Sequence, residues 1–198
     1  MNHSSVSSLA VYPSRRTIVL TCLALYFFAL LFRLPGLGSD TPQPDEHHWL
    51  VRMHQCVTRY HKDGIERYNT HLGHPGVTPV LVMLASHSLQ ERYNAARGLE
   101  PGEAGYLDEL TAVRAGIAII AALVVPILFF GCLRLLGYQV ALLAAALIAL
   151  SPGHIAVSRL AHLDAVLTMI ITCTVLLYAA AERTGRLSLK LLAGAFWG

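Results

Sequence analysis

The sequence predicts an all-α membrane protein: a polytopic bundle of transmembrane helices, with interfacial helices in a large first external loop. Three observations predict this class. The 198 residues are 55% hydrophobic and only 14% charged, whereas soluble domains are about a quarter charged. The apolar residues lie in blocks long enough to cross the hydrocarbon layer of a membrane. A long polar stretch between the first two blocks has the amphipathic pattern of helices.

Net charge and cysteine positions exclude two other classes. The formal net charge is only +3 and is spread along the chain, so we expect no nucleic-acid partner. Cys22, Cys132 and Cys173 lie within apolar blocks, and Cys56 lies alone in a polar region. The cysteines therefore lack the spacing of a disulfide framework.

The N-terminal segment predicts the orientation of the chain. Residues 1–16 are polar and end in Arg15-Arg16, and residues 17–34 form the first span. A cleaved signal peptide is the alternative, but the apolar core is longer than a signal core and no small-x-small cleavage site follows it. The two arginines place the N-terminus in the cytoplasm, because basic residues flanking a span stay on that side.

Residues 35–109 are predicted to form an external loop with two interfacial helices. The first runs from Asp45 to Tyr60. Its apolar face comprises Trp49, Leu50, Met53, Val57 and Tyr60. The second begins at the helix-entry pair Thr78-Pro79, and its apolar part, residues 80–89, is too short to span a membrane.

Further spans follow, joined by short connections. The predicted segments are residues 110–136 (second span), 140–153 (third span), 154–164 (second external loop), 165–181 (fourth span), 182–190 (cytoplasmic loop) and 191–198 (start of a fifth span). The third span is expected to break at Ser151-Pro152-Gly153. Because a helix that stops inside lipid leaves backbone groups unpaired, we expect the chain to be the N-terminal part of a longer protein.

Ionisable residues at the external ends of spans are candidates for function, because charge is costly to place near lipid. The candidates are Asp45, Glu46, Asp164, Arg114 and Arg159. Other interpretations stay open. Asp45-Glu46 also suits the acidic first turn of a helix, Asp164 a helix cap, and Arg159 a side chain that extends to the interface.

The ten histidines raise the alternative of a metal site. The candidate zinc ligands are His47, His48, His71 and His74. No HExxH or paired-cysteine spacing supports them, and adjacent histidines point in different directions on a helix. We therefore predict no definite cofactor and keep a divalent metal as an open alternative. Serine-nucleophile and phosphate-loop motifs are absent from the sequence.

The order of these features resembles the polytopic glycosyltransferases of the GT-C fold, most nearly the protein O-mannosyltransferases and the aminoarabinose (lipid A) transferases. In that superfamily an Asp-Glu pair opens the first external loop, as Asp45-Glu46 does here, with Trp49 in the aromatic position after it. A His-Pro motif follows, matched by His74-Pro75. The motifs of the second external loop are matched by Ser151-Pro152, Ser158-Arg159 and Leu163-Asp164. The small number of spans departs from the family pattern.

The resemblance implies a reaction and its partners. Such enzymes transfer a sugar from a polyprenyl-phosphate carrier to an acceptor hydroxyl at the non-cytoplasmic face. The implied partners are this donor, an acceptor that is a protein, lipid or glycan, and membrane lipid. A multi-pass protein of a bacterial inner membrane is favoured over one of the endoplasmic reticulum. The chain by itself is expected to be inactive, because a groove for the carrier lipid needs further spans.

The resemblance also implies roles for individual residues. Asp45 is expected to act as the general base, with Glu46 orienting it and Asp164 supporting the site. The residues implied in substrate binding are Arg159, His74, Arg114 and Trp49. Of these, the two arginines are expected to face the carrier phosphate, because a guanidinium forms paired hydrogen bonds with it.

The competing interpretation is a non-enzymatic polytopic membrane protein, or a transporter fragment, with a His-rich and metal-binding external loop. Transporters place their ionisable residues in the middle of spans, beside broken helices. Here these residues lie at the external ends of the spans, which favours the enzyme.

Overall fold

The computed structural model describes residues 13–63 and 77–197, without the side chains of residues 57–63. These residues form nine α-helices: α1 Arg15–Arg33, α2 Pro44–Asp63, α3 Val77–Arg97, α4 Glu109–Ala122, α5 Val124–Leu136, α6 Tyr138–Leu150, α7 Pro152–Ser158, α8 Asp164–Thr184 and α9 Leu187–Trp197. A short 3-10 turn, Leu37–Ser39, follows α1. The described part of the chain contains no strand, and the predicted all-α class is confirmed.

Among the described residues, three helical segments are long and apolar enough to cross a membrane. They are Arg15–Ser39, Glu109–Leu136 and Asp164–Thr184, and they coincide with the first, second and fourth predicted spans. Helices α6 and α7 meet this criterion only as a pair, and the pair is bent by 57°. The predicted third span is therefore a broken one, and the described residues have the architecture of a polytopic helical membrane protein.

The bend between α6 and α7 follows from Pro152. In a continuous helix the carbonyl of Ile148 would accept a hydrogen bond from the N–H of residue 152, which proline lacks. The guanidinium of Arg33 replaces the missing donors: Nη2 lies 3.4 Å from the Ile148 carbonyl and Nη1 3.2 Å from that of Ala149. Arg33 is fully buried, so the end of α1 is joined directly to the broken span.

Two segments that the sequence predicted as loops are largely helical. Residues 154–164 begin with most of α7, and residues 182–190 are shared between the end of α8 and the start of α9. Between α8 and α9 lies Gly185, whose φ of +67° ends α8. The Glu182 carboxylate pairs with Lys190 Nζ at 2.7 Å. Charged residues mark the end of an apolar block, but Glu, Arg and Lys are good helix formers, so the helix continues past that block.

The apolar face of α2 packs against the bundle. The buried cluster contains Trp49, Met53 and Cys56 of α2, Val80 and Met83 of α3, Val113 and Ile117 of α4, Ala161 before α8 and Val166 of α8. Leu50 packs beside it. The predicted face of this helix therefore agrees with the structure at Trp49, Leu50 and Met53. These contacts fix the helix that carries the Asp-Glu pair.

Helices α3 and α4 approach closely at Gly116. A Cβ atom built at this glycine would lie 1.8 Å from Ser86 Oγ and 3.0 Å from Ser86 Cβ. Further along α3, the side-chain amides of Gln90 and Asn94 both donate to the carbonyl of Leu107, at 2.8 and 2.9 Å. The two helices therefore form a close pair, on which α2 rests.

We expect Gly116→Ala to lower the melting temperature of the protein in detergent. Overpacking costs about 1–3 kcal/mol, which exceeds the gain of up to about 1 kcal/mol from the better helix propensity of alanine. The matched control is Gly194→Ala in α9, where an added Cβ meets nothing within 4 Å, so its melting temperature should stay level or rise. Equal responses of the two variants would contradict the close approach of α3 and α4.

Candidate active site

A buried ion pair joins α2 to α4. Arg114 Nε lies 2.8 Å from Glu46 Oε1, and Arg114 Nη2 lies 2.6 Å from Glu46 Oε2. Both side chains are only 1% exposed. The two parallel bonds use the planar fork of the guanidinium, the strongest geometry for an arginine–carboxylate pair. The pair fixes the first turn of α2 relative to α4.

Two backbone N–H groups also donate to the Glu46 carboxylate. The N–H of Gln43 donates to Oε2 at 2.9 Å, which caps the start of α2. The N–H of Ala161 donates to Oε1 at 2.8 Å. Because Ala161 lies in the connection between α7 and α8, one carboxylate joins three separate parts of the chain.

The five N–H groups of Arg114 are all used. Besides its two bonds to Glu46, Nη1 donates to the carbonyls of Leu37 and Asp40 at 2.7 and 2.9 Å, and Nη2 donates to the carbonyl of Thr41 at 3.3 Å. These carbonyls belong to the segment between α1 and α2. Arg114 therefore holds that segment in place rather than directing a donor into a cavity.

The same contacts determine the charge of Glu46. Burial alone would raise the pKa of this carboxyl, because a buried carboxylate loses its hydration. The hydrogen bonds from Arg114, Gln43 and Ala161, together with the positive charge of the guanidinium, outweigh burial and bring the pKa of Glu46 below its usual range. Glu46 is therefore an ion-paired anion at neutral pH and a poor proton acceptor.

Asp45 and Asp164 open onto one cavity, of about 560 Å³, between the start of α2 and the connection that leads into α8. The remaining lining residues are His48, Trp49, Arg52, His162 and Leu163. Asp45, Asp164 and His162 also line a second cavity, of about 230 Å³. Both aspartates are exposed, unlike Glu46. The two carboxylates that reach solvent thus face the same space.

One wall of the larger cavity is aromatic and basic. Trp49 is only 6% exposed, and Arg52 Cζ lies 4.6 Å from the centre of its indole ring. The ring of His162 meets the indole edge-on, with ring centres 5.7 Å apart and planes at 80°. His162 Nδ1 lies 3.4 Å from Asp164 Oδ2. Arg52 is only 9% exposed and packs over Trp49.

Arg159 holds the chain after α1. Its Nε and Nη2 donate to Asp40 Oδ2 at 3.1 and 2.7 Å, and its Nη1 donates to the carbonyls of Arg33 and Pro35 at 3.2 and 2.7 Å. It is not among the residues that line the two cavities. Arg159, directly after α7, and Arg114 of α4 thus hold the same segment between α1 and α2.

The structure brings together only part of the site that the sequence predicted. The predicted residues around the larger cavity are Asp45, Trp49 and Asp164. Glu46, which also lines the smaller cavity, pairs with Arg114, and Arg159 pairs with Asp40. His74 lies outside the described residues. The predicted set therefore divides into residues that face the cavity and residues that support its walls.

The histidines predicted as metal ligands do not form a described site. His47 and His48 are exposed neighbours on α2, with ring centres 6.2 Å apart. His71 and His74 both lie outside the described residues. A metal ion on this set therefore stays an untested alternative.

Arg52 and His162 received no role from the sequence. A signal for Arg52 was present, because it follows Asp45 by seven positions and Trp49 by three, the spacing of one helical face. His162 lies two residues before Asp164, in a connection where periodicity gives no side-chain direction. Its position against Trp49 is a long-range contact, which a local pattern cannot predict.

Acid will weaken the fold through Glu46. The folded-state pKa lies below the unfolded value of about 4.3, so the stabilisation is complete above that value and is lost as the pH falls through the folded-state pKa. We expect the stability difference between wild type and Glu46→Gln to be largest near pH 7 and to shrink below about pH 4. The measurement is thermal unfolding in detergent across pH, with the exposed Glu100→Gln as the control. A difference that is independent of pH would contradict the lowered pKa of Glu46.

Comparison with known proteins indicates the family. Residues 50–197, from α2 to α9, match the family model described as dolichyl-phosphate-mannose-protein mannosyltransferase. Comparisons with curated proteins and with solved structures gave no match. Asp45 and Glu46 lie just before the matched range, whereas Asp164 lies within it. With the polytopic helical architecture, this match shows that the chain belongs to the dolichyl-phosphate-mannose-protein mannosyltransferase family, a family of membrane glycosyltransferases of the GT-C type.

Proposed function

We propose that the protein transfers a mannose-type sugar from a dolichyl- or other polyprenyl-phosphate donor to a hydroxyl group of a protein acceptor. The reaction takes place at the non-cytoplasmic face, in the cavity between α2 and the start of α8. The observation that carries this proposal is the shared cavity of Asp45 and Asp164, two exposed carboxylates beside an aromatic and basic wall. The family of the chain supports the choice of donor and acceptor.

The reaction is a displacement at the anomeric carbon of the sugar. The acceptor oxygen forms a bond to this carbon while the bond from the carbon to the phosphate oxygen breaks. The departing polyprenyl phosphate takes the bonding electron pair, and the acceptor proton passes to a carboxylate. A general base speeds such a step by about 10²–10⁴-fold. The site therefore needs one accessible carboxylate and positive charge beside the phosphate.

Asp45 is the proposed general base. Its carboxylate is exposed at the mouth of both cavities, where an acceptor hydroxyl can reach it. Its neighbour Glu46 is buried and bound to Arg114, so it positions the turn that carries Asp45 instead of taking a proton. Asp164 faces the same space from α8, beside His162, and is proposed to orient the acceptor or a sugar hydroxyl.

Trp49 and Arg52 are the proposed binding residues of the wall. The small part of the indole that reaches the cavity offers an apolar contact for a sugar ring, and the guanidinium stacked over it provides charge-assisted donors for a phosphate. Arg114 and Arg159, the arginines that the sequence suggested for this task, are proposed to shape the segment between α1 and α2. His74 keeps its predicted role in acceptor binding.

The orientation in the membrane is part of the proposal. The N-terminus is assigned to the cytoplasm because of Arg15 and Arg16 before the first span. Helix α1 then crosses the membrane, so its C-terminal end, the cavity and the start of α8 lie on the external side. A donor carried by a membrane lipid reaches the cavity from the headgroup level.

Asp45→Asn should abolish most sugar transfer while leaving the fold intact. The amide cannot accept the proton, so we expect a loss of about 10²–10⁴-fold, with an unchanged melting temperature because Asp45 is exposed. The assay measures transfer of labelled mannose from polyprenyl-phosphate mannose to a hydroxyl-bearing peptide in membranes that contain the full-length gene product, with and without the substitution. Glu100→Gln, an exposed carboxylate outside the site, should retain full activity. Mannose transfer by Asp45→Asn at the wild-type rate would contradict the assignment of Asp45 as the general base.

A further inference from the structure

A second group of ligand-type side chains lies where α2 meets α3 and α4, apart from the residues that line the cavity. His54 of α2, His87 of α3 and Glu109 of α4 each place one ligand atom within 4.8 Å of the others. His54 Nε2 lies 2.9 Å from Glu109 Oε1, and His87 Nδ1 lies 3.1 Å from the same oxygen. Three helices therefore direct two imidazole nitrogens and one carboxylate oxygen toward one point.

Two of these three ligand atoms are buried without a hydrogen bond. His87 Nδ1 and Glu109 Oε1 are buried, and neither makes a hydrogen bond, although they lie only 3.1 Å apart. The ring nitrogen is not aligned with the carboxylate oxygen as an N–H donor would be. Buried polar atoms normally find a partner. A cation between the three ligand atoms supplies a partner for His87 Nδ1 and Glu109 Oε1.

The types of the three ligand atoms indicate which cation would bind. Two imidazole nitrogens with one carboxylate oxygen suit zinc, whereas calcium and magnesium take oxygen ligands. With bonds of about 2.0–2.1 Å, ligand atoms of a tetrahedral zinc site lie about 3.3 Å apart. The two His–Glu distances, 2.9 and 3.1 Å, need only a small increase, while the two nitrogens draw together. The partly exposed side chains leave a fourth position for water.

The surroundings of His87 fit the same assignment. Its other ring nitrogen, Nε2, lies 3.6 Å from Glu91 Oε1, one helical turn further along α3. Histidines that bind a metal usually direct the second ring N–H to a carboxylate, which fixes the tautomer and the ring orientation. His87 therefore presents Nδ1 to the metal position while Nε2–H faces Glu91.

We propose that His54, His87 and Glu109 form a zinc site that ties α2 to α3 and α4. The site is separate from the sugar-transfer cavity and supports it mechanically. Glu46 fixes the first turn of α2, and the zinc ion fixes the same helix about two turns further on. The proposal does not depend on the identity of the donor or the acceptor.

Zinc binding to the purified protein tests the proposal. After treatment with a chelator, wild type should bind one zinc ion per chain, and its melting temperature should rise by about 5 °C at a hundredfold excess over the dissociation constant. Glu109→Gln and His54→Gln should weaken binding at least tenfold and remove most of this rise. The matched control is His47→Ala, an exposed histidine of the same helix, which should bind zinc as wild type does.

The zinc measurement is independent of sugar transfer, so it separates this proposal from the proposed function. His54 is about half exposed, so His54→Gln should fold normally even if Glu109→Gln does not. Binding of zinc by both variants with wild-type affinity would overturn the site. Absence of zinc-dependent stabilisation in the wild type would overturn it as well.

Discussion

The ion pair between Glu46 and Arg114 is the interaction on which the rest of the site depends. It joins α2, α4, the segment after α1 and the connection into α8 through seven hydrogen bonds. A buried charge pair is rarely a source of net stability, because both ions lose hydration. Here its contribution is positional: each N–H of Arg114 has an acceptor and each oxygen of Glu46 accepts two hydrogen bonds, so the segments meet in one arrangement.

The two residues of the Asp-Glu pair lie in different environments. Adjacent residues of a helix point about 100° apart, so Glu46 turns into the bundle while Asp45 stays at the cavity. Arg114 and two backbone N–H donors keep Glu46 ionised despite its burial, and exposure leaves Asp45 accessible to a substrate. The chemistry proposed for one carboxylate therefore depends on the fixed position of the other. The same principle applies on the other side of the cavity, where Ala161 ties the approach to Asp164 into the network.

Local patterns were enough to predict the all-α class and the helices with long apolar blocks. Both follow from hydropathy and from the helical spacing of apolar residues. Asp45, Trp49 and Asp164, which the sequence and the family resemblance suggested, line one cavity, and their roles stay predictions. Side-chain partners could not be predicted in this way. Arg114 and Arg159 both carry charges at span ends, but which carboxylate or carbonyl each one meets depends on packing between helices distant in the chain.

The coupling between Glu46 and Arg114 tests the account most directly. In a double-mutant cycle with Glu46→Gln and Arg114→Met, each single change should cost about 3–5 kcal/mol because it leaves a buried partner uncompensated. The double variant should recover at least about 2 kcal/mol relative to the sum, and part of the sugar transfer that each single variant loses. Additive costs, within about 0.5 kcal/mol, with transfer unaffected by either change, would contradict the claim that this pair holds the site together.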